Sequence, residues 1–544
     1  MKVADVIATI LKAEGVKFVT GYPVNPIIEA AARQDIRTII VRQERIGLHM
    51  ADAYSRLTSG DGIGVFLSQN GPGTENAFPG VAQAWGDSVP IVHLAAGYPR
   101  SVINVQPHFN AFLNYQHITK HAEQLQLASA TVGALRRAFS QARNGRPRPV
   151  LLEIPVDVLN EEFEGSADYT PVVRAKSAPE SSAVLQAART LVAASNPVIY
   201  AGQGVHYAKA WPELKELAEL LEAPVTTSLE GKSAFPEDHP LSLGSGGRAL
   251  PKAVFQFIRD ADVIFGIGCS FAATSYGIQF PAGKTIIHAT LDPGDLNRTV
   301  EAQQALIGDA KITLRAVIDA VKAEIGQPRG RRAAVEGTIA KLHEEWLADW
   351  RRETHSDETP LSPYRVLREL HETVDVPNTV ITHDAGSPRD QLSPFWQATT
   401  PLSYIGWGKT TQLGYGLGLA MGAKLAEPEK LCMNVWGDAA IGMTGMDFET
   451  AVRERIPILS ILLNNFSMAI EIPVMPVSQE KYGSTNISGN YSEMAKAFGG
   501  YGERITDPSQ IAPAIRRGIE QTRAGKPALL EFITKKSYEY SVFR

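Results

Sequence analysis

Residues 431–465 read LCMNVWGDAAIGMTGMDFETAVRERIPILSILLNN, and two short apolar runs in this stretch each end in polar residues. The first run ends at Asp438 and the second at Asn464 and Asn465, with a helical pattern over 446–455 between them. A strand, a crossover helix and a second strand make the two strands parallel. Asp438 and Asn465 are therefore predicted at one edge of a sheet, the carboxyl edge where open α/β sheets bind ligands.

The side chains at these two strand ends are typical ligands of a hard cation. The carboxylate of Asp438 and the amide oxygen of Asn465, together with a backbone carbonyl, suit Mg²⁺ or Ca²⁺. Phosphate oxygens and water would complete the shell, and the small residues Ala439 and Ala440 would let backbone amides approach a phosphate. Alternatively, Asp438 caps the following helix and Asn465 lies in a turn. The stretch by itself leaves both interpretations open.

The composition of the whole chain narrows the class of protein. Its 544 residues predict roughly two to four domains, and 44% hydrophobic with 20% charged residues are typical of a globular protein. The net charge of −5 argues against bulk nucleic-acid binding and leaves only a local basic patch as an alternative. The two cysteines, Cys269 and Cys432, lie far apart within apolar runs and are predicted to be buried thiols in a reducing compartment.

The N-terminal residues give no sign of export or membrane insertion. Asp5, Lys12 and Glu14 interrupt the apolar residues that a signal peptide would need, and these apolar residues follow helical spacing instead. No run reaches the ~18 apolar residues of a membrane span. We therefore expect a cytoplasmic protein without membrane contact.

Apolar runs that alternate with helical patterns predict an α/β fold of three domains in series, each with a mostly parallel sheet flanked by helices. The predicted domains are residues 1–165, 186–325 and 360–544. Polar residues of little periodicity predict a first linker over 160–188, and a second linker is predicted over 323–362.

Motifs along the whole chain resemble the thiamine diphosphate (ThDP)-dependent enzymes, and in particular the acetolactate synthase branch. The Gly-Asp at 437–438 and the Asn-Asn at 464–465 resemble the family's Gly-Asp-Gly and Asn-Asn signature, and Asn465 follows Asp438 by 27 positions. Further similar segments occur in the family's order: VRQERIGLHMADAYSR, NGPGTEN, ALRRAFSQARNGRPRPVLLEIPVDV, ITHDAGSPRDQ and GKTTQLGYGLGLAMGAKLAEP. The resemblance implies ThDP and Mg²⁺ as cofactors, a pair of ThDP-binding domains at the two ends, and a Rossmann-like domain between them.

The resemblance also implies a role for individual residues. Glu44 matches the catalytic carboxylate that hydrogen-bonds the pyrimidine ring, and a raised pKa in an apolar cleft would suit proton transfer. Asp438, Asn465 and the carbonyl of Ser467 would bind Mg²⁺, and Leu413 would support the bent cofactor. The residues expected at the cofactor are Pro23, Glu44, Gln69, Pro72, Asn76, Gly386, Ser387, Thr411, Leu413, Gly437, Asp438, Ala439, Ala440, Asn465, Ser467 and Met468.

The chain departs from the family at several of its positions. Ala439 replaces the second glycine of the signature, and Gln69 stands where many relatives have threonine. The Phe-Gln pair of acetolactate synthases is displaced, which leaves Gln106 and His108 as the candidates to face the substrate. Ser270 replaces the arginine of an Arg-Phe-Asp-Asp-like run and both aspartates are missing, which argues against FAD in the central domain.

The resulting prediction is an enzyme that cleaves or forms a carbon–carbon bond next to the carbonyl of a 2-oxo acid, as a carboligase similar to acetolactate synthase. A 2-oxo acid decarboxylase and a lyase of 2-hydroxyacyl-CoA or benzaldehyde type are the alternatives, and a non-catalytic relative is an alternative of another class. Because family geometry takes Glu44 and Asp438 from different subunits, the resemblance implies a homodimer or homotetramer.

Overall fold

Three six-stranded sheets organise the chain, and every strand pairing within them is parallel. The computed structural model describes residues 1–327 and 329–543. The strands are short and almost wholly buried, because helices cover both faces of a parallel sheet. The predicted α/β class with three domains is thus confirmed.

The first sheet contains β1 (Phe18–Gly21), β2 (Arg37–Ile40), β3 (Gly64–Ser68), β4 (Ile91–Gly97), β5 (His121–Gln124) and β6 (Val150–Pro155). Its helices are α1 (Val3–Ala13), α2 (Asn25–Arg33), α3 (Glu44–Leu57), α4 (Pro72–Asp87), α5 (Ala111–Tyr115), α6 (Thr131–Arg143) and α7 (Val156–Leu159). The strand order is β2-β1-β3-β4-β6-β5. Since all strands run the same way, the loops after β1, β2, β3 and β4 meet at one edge.

The central sheet contains β7 (Pro197–Ala201), β8 (Val225–Thr227), β9 (Ser242–Ser245), β10 (Val263–Ile267), β11 (Thr285–Thr290) and β12 (Gln304–Ile307). Its helices are α8 (Ser181–Ala193), α9 (Gly204–Ala208), α10 (Trp211–Leu221), α11 (Lys252–Asp260) and α12 (Ala310–Ile325). The order is β12-β11-β10-β7-β8-β9, so β8 and β9 lie on one side of β7 and β10, β11 and β12 lie on the other. The strand order therefore switches sides between β7 and β10.

The third sheet contains β13 (Thr379–His383), β14 (Tyr404–Ile405), β15 (Leu431–Gly437), β16 (Leu459–Asn464), β17 (Tyr501–Ile505) and β18 (Ala528–Ile533), in the order β14-β13-β15-β16-β18-β17. The helices after the central sheet are α13 (Arg332–Asp349), α14 (Arg351–Thr354), α15 (Pro363–Thr373), α16 (Ser387–Phe395), α17 (Tyr415–Ala426), α18 (Asp438–Thr444), α19 (Phe448–Arg453), α20 (Pro476–Tyr482), α21 (Tyr491–Ala497) and α22 (Ile511–Arg523). β15 and β16 pair in parallel, with Gly437 opposite Leu463, as the opening stretch predicts.

Packing divides the chain into two compact units. The first comprises Met1–Ala175, Gly414–Glu429 and Thr444–Ile458, and the second comprises Lys176–Leu413, Lys430–Met443 and Leu459–Arg544. In the first unit α17 packs closely on α3, where a methyl group on Gly418 would lie 2.5 Å from Cβ of His49. Glycine is the residue that permits this approach. Two segments from inside the predicted C-terminal domain therefore pack with the first sheet.

One prediction about the elements needs correction, and three edge strands were missed. The first linker was predicted over 160–188, but α8 already begins at Ser181, because Val184, Ala187 and Leu191 form a buried face there. The short edge strands β5, β14 and β17 were not predicted. The domain boundaries stay a prediction, and Arg544, the last residue of the predicted C-terminal domain, lies outside the described residues.

Two further observations concern the thiols and membrane contact. Cys269 and Cys432 are buried thiols and form no disulfide with each other, as their apolar surroundings and distance in the sequence predict. Within the described parts of the chain, no helix combines the length and the apolar character that crossing a bilayer requires.

Candidate active site

A cleft in the second unit contains many of the residues predicted at the cofactor. Ten predicted residues line it: Gly386, Ser387, Leu413, Gly437, Asp438, Ala439, Ala440, Asn465, Ser467 and Met468. The cleft lies at the carboxyl ends of β13, β15 and β16, which are neighbours in the sheet. Thr411, also predicted at the cofactor, is half-buried and is not among the lining residues.

Asp438 begins α18 directly after β15 and is 3% exposed. Its Oδ1 accepts a hydrogen bond from the amide of Ala439 (2.9 Å), and its Oδ2 accepts one from the amide of Ser467 (2.9 Å). Burial raises the pKa of Asp438, while the amides of Ser467, Ala439 and Asn465 oppose that rise by favouring the carboxylate. An incoming cation would favour the ionised form further.

The two asparagines after β16 have different roles. Asn464 is fully buried; its Nδ2 donates to Oε1 of Glu531 (2.8 Å) and its Oδ1 accepts from the amide of Phe466 (3.0 Å). Asn465 lines the cleft instead, and its Oδ1 accepts from the amide of Ser467 (3.0 Å). Asn464 therefore fixes the strand end, and Asn465 is the residue available to a ligand.

Ser467 brings the chain back towards Asp438 after a sharp turn. Phe466, the preceding residue, has a φ of 56°, in the left-handed region. The hydroxyl of Ser467 donates to the carbonyl of Thr485 (3.1 Å), and its amide is bound by Asp438 and Asn465. A contact from Ser467 to a cation would therefore come from its carbonyl oxygen, the atom that the family resemblance assigns to it.

Gly386 and Ser387 form the turn between β13 and α16. Gly386 has a φ of 78°, which glycine adopts without strain, and it places Ser387 as the first residue of α16. The first amides of a helix carry partial positive charge and favour an anion. The hydroxyl of Ser387 also makes a hydrogen bond (2.8 Å) with the hydroxyl of Tyr540.

Glu44 lies in the first unit, at the start of α3. It is 6% exposed, and its carboxylate accepts a hydrogen bond from the side chain of Asn76 on α4. A methyl group on Gly73 would lie 3.4 Å from Oε1 of Glu44, so this carboxylate lies against the first turn of α4. Burial raises the pKa of Glu44, as predicted for a carboxyl group that exchanges protons.

The remaining predicted residues of the first unit lie just beyond strand ends, at the same edge of the first sheet. Pro23 follows β1, Gln69 follows β3 and Pro72 begins α4; all three are exposed. The carbonyl of Gln69 accepts from the hydroxyl (2.8 Å) and the amide (3.0 Å) of Thr74, which holds the turn before α4 closed. The edge that carries Glu44 thus also carries these three residues.

The two candidate substrate residues lie in the loop after β4. Gln106 is exposed, whereas His108 is half-buried and stacks on Tyr98 with ring centroids 4.0 Å apart and an interplanar angle of 9°. Nδ1 of His108 lies 3.0 Å from the carbonyl of Val102, which fixes Nδ1 as the protonated nitrogen. Tyr98 in turn lies against Gly71, where a methyl group would be 2.4 Å from its hydroxyl.

The donor set fits a magnesium-bound diphosphate. One carboxylate, one amide oxygen and one backbone carbonyl are oxygen ligands, and Mg²⁺ commonly takes one or two carboxylates and completes its shell with phosphate oxygens and water. Within residues 1–327 and 329–543, no group of three or more His, Cys, Asp and Glu side chains could hold a metal by itself. The cleft suits a metal that arrives with phosphate.

Four residues near these sites carried no recognisable sequence signal. Tyr540 contacts Ser387 from a position 153 residues away, and Glu471 and Lys535 line the cleft beside the predicted residues. Tyr98 follows a buried strand like many other loop residues. A contact between distant residues of ordinary type becomes visible only in the folded chain.

Comparison with known proteins identifies three family segments. Residues 1–127 match the N-terminal TPP binding domain of thiamine pyrophosphate enzymes, residues 184–317 match the central domain, and residues 384–532 match the C-terminal TPP binding domain.

Similar curated proteins cover almost the whole chain. A probable acetolactate synthase large subunit of Methanocaldococcus jannaschii is 30% identical over 98% of this chain and 92% of that protein. Acetolactate synthase isozyme 3 large subunit of Escherichia coli K12 is 28% identical over 96% of this chain and 92% of its own length. Glyoxylate carboligase of Escherichia coli O157:H7 is 27% identical over 96% of this chain and 91% of its own length.

Proposed function

The chain belongs to the family of thiamine pyrophosphate-dependent enzymes, and we propose that it is a magnesium-dependent carboligase that acts on a 2-oxo acid, similar to acetolactate synthase. The observation that carries this proposal is the joint placement of Asp438, Asn465 and Ser467 around one cleft. The names of the relatives support carboligation as the reaction and favour a small 2-oxo acid as the substrate.

The cleft residues would hold the diphosphate through a magnesium ion. Asp438 and Asn465 would bind the ion with their side chains and Ser467 would bind it with its carbonyl. The first amides of α16 and the hydroxyl of Ser387 would face the anionic oxygens. Leu413, at the rim of the same cleft, would support the bent cofactor from one side.

Glu44 would hold and exchange a proton on the pyrimidine side. ThDP, when bound, supplies a nucleophilic carbon and an electron sink for the bond beside the carbonyl. Because burial raises its pKa, the carboxyl group of Glu44 takes up a proton more readily than an exposed glutamate. Asn76 donates to the same carboxylate and keeps it oriented. Pro23, Gln69 and Pro72 would border the ring.

His108 and Gln106 would face the substrate side. The bond from Nδ1 of His108 to Val102 leaves Nε2 as the nitrogen that can accept a hydrogen bond from a hydroxyl group. The stacking of His108 on Tyr98 holds the imidazole ring in one plane. A rigid ring of this kind would orient a small polar substrate.

We propose that the central domain binds no FAD. Besides the departure at Ser270, backbone amides near the reversal point between β7 and β10 are already bonded within the protein. The amide of Gly202 donates to the carbonyl of Ile267 (2.9 Å), and that of Gly204 donates to the carbonyl of Gly268 (2.8 Å). These amides cannot also bind a cofactor phosphate. Purified protein is expected to show no flavin absorbance in the visible range.

The test is a substrate panel with product identification. Purified protein with ThDP and Mg²⁺ would receive pyruvate, glyoxylate, a longer 2-oxo acid, a benzoin-type ketol and an acyl-CoA ester, with products identified by mass spectrometry. A joined hydroxy-keto acid product with release of CO₂ supports the carboligase. Release of free aldehyde alone would favour the decarboxylase, cleavage of the ketol or acyl-CoA would favour the lyase, and failure to bind ThDP with Mg²⁺ would reject the proposal.

Assembly and location belong to the same proposal. We expect a homodimer or homotetramer in the cytoplasm, without nucleic acid or membrane partners. Light scattering of the purified protein would determine the number of chains, and a monomer that remains fully active would contradict an active site shared between subunits.

A further inference from the structure

The last described residues of the chain connect the cofactor cleft to the central domain. Residues 536–543 follow β18 without forming a helix or a strand. The carbonyl of Ser541 accepts from the amide of Leu250 (2.9 Å), and its hydroxyl donates to the carbonyl of Leu250 (2.7 Å) and accepts from Nε1 of Trp346 (2.7 Å). Phe543 stacks on Phe255 of α11 with centroids 5.5 Å apart. We call residues 536–543 the tail segment.

Tyr540 of the tail segment contacts a residue that lines the cleft. Its hydroxyl lies 2.8 Å from the hydroxyl of Ser387, and Ser387 lines the cleft at the start of α16. Tyr540 is half-buried, and burial raises its pKa to about 12. The phenol therefore keeps its proton at neutral pH and can donate it to the oxygen of Ser387.

We propose that Tyr540 is a positioning residue for the diphosphate of the cofactor, acting through the hydroxyl of Ser387. When the phenol donates to Ser387, the proton of the serine hydroxyl points away from Tyr540 and is free to bond an anionic oxygen. Consecutive hydrogen bonds of this kind strengthen one another. This inference rests on the proposed function, since it assumes that the cleft binds the diphosphate.

The tether to the central domain extends the same argument. Ser541 is 3% exposed and is bonded to Leu250 and Trp346, so the neighbouring Tyr540 has little freedom to move away from Ser387. Tyr364 adds a second tether by donating to the carbonyl of Glu539 (2.5 Å). Removing the hydrogen bonds of the Ser541 hydroxyl should therefore weaken cofactor binding only when the phenol of Tyr540 is present.

The test is a double-mutant cycle on ThDP affinity, measured by calorimetry with Mg²⁺ present and therefore independent of turnover. Tyr540→Phe keeps the ring and removes the hydroxyl, and Ser387→Ala removes the partner. Each single variant should weaken ThDP binding by about 3- to 10-fold. The double variant should bind ThDP with an affinity within about twofold of the more weakly binding single variant, because both changes remove the same interaction.

The control is Tyr538→Phe, which removes a hydroxyl from the same tail segment at a residue that is 50% exposed. This variant should bind ThDP like the unchanged protein. Ser541→Ala should weaken binding by about 2- to 5-fold alone and have no further effect in the Tyr540→Phe background. The KM for the carbonyl substrate should stay within about twofold in all variants.

Two results would overturn the inference. Unchanged ThDP affinity in Tyr540→Phe, with or without a lower thermal midpoint, would give the tyrosine a purely structural role. Fully additive losses in the double variant would mean that Tyr540 and Ser387 act independently. If the unchanged protein binds no ThDP at all, the proposed function fails first, so the two failures are distinguishable.

Discussion

Replacing Glu44 by glutamine should abolish most turnover while leaving the fold intact. Glu44→Gln conserves the size of the side chain and can still accept the hydrogen bond from Asn76 through its amide oxygen. It cannot take up and release a proton. General acid–base catalysis contributes typically about 10²- to 10⁴-fold to rate, so kcat should fall by that factor.

The fold should tolerate this change for an electrostatic reason. Burial raises the pKa of Glu44, so its favourable contribution to stability is present at low pH and is lost as the pH rises through the folded-state pKa. A neutral amide avoids the unfavourable buried charge at higher pH. The thermal midpoint of Glu44→Gln at neutral pH should therefore equal or exceed that of the unchanged protein.

Three measurements test this prediction together. Steady-state kinetics with the best substrate gives kcat, calorimetry gives ThDP affinity, and exchange of the thiazolium proton for deuterium reports on proton removal directly. The control is Glu75→Gln, an exposed glutamate in the first turn of α4, which should leave all three quantities unchanged. Full activity in Glu44→Gln would refute its assigned role.

Three further predictions concern the cleft and the buried groups. Asp438→Ala should weaken ThDP binding at fixed Mg²⁺ by at least about 10-fold in calorimetry, and equal affinity would reject this ligand. Asn464→Ala should lower the thermal midpoint, because loss of its bond to Glu531 costs about 1–3 kcal/mol. Asn465→Ala should instead reduce Mg²⁺-dependent binding of ThDP with little change in the thermal midpoint. Reversed effects would contradict the different roles assigned to the two asparagines. Burial lowers the pKa of His93 to about 3, so the neutral ring favours the folded state above about pH 6.5. Below that pH the folded state loses up to about 1.4 kcal/mol of stability per pH unit. The thermal midpoints at pH 7 and pH 5 should therefore differ less in His93→Gln than in the unchanged protein, and an equal difference would contradict this.

The cleft was predictable where local pattern and topology rules act together. Periodicity identified β15 and β16, and the crossover rule then placed Asp438 and Asn465 at one edge without knowledge of any long-range contact. The separate role of Asn464 was not predictable, since its buried partner Glu531 lies on β18, 67 residues further along the chain. The sequence assigns Asn465 to the cation but gives Asn464 no role of its own.

Other features depend on packing between distant segments, and the sequence does not identify the packing partners. The small residues of α17 suggest close packing, but the pattern does not say that the partner is α3 of the first unit. The tail segment reads as an irregular end, yet Tyr540 and Ser541 contact residues from two other parts of the chain. The short edge strands lack the apolar runs that reveal central strands, since β5 is polar and half-buried.

The most direct test of the central claim is a calorimetric titration of the purified protein with ThDP, with Mg²⁺ present and with the divalent cations removed by a chelator. We predict saturable binding with Mg²⁺, a loss of affinity of at least about 10-fold without it, and recovery when Mg²⁺ is restored. Binding of equal strength with and without the cation would contradict the assignment of Asp438, Asn465 and Ser467 as the residues that hold a metal-bound diphosphate.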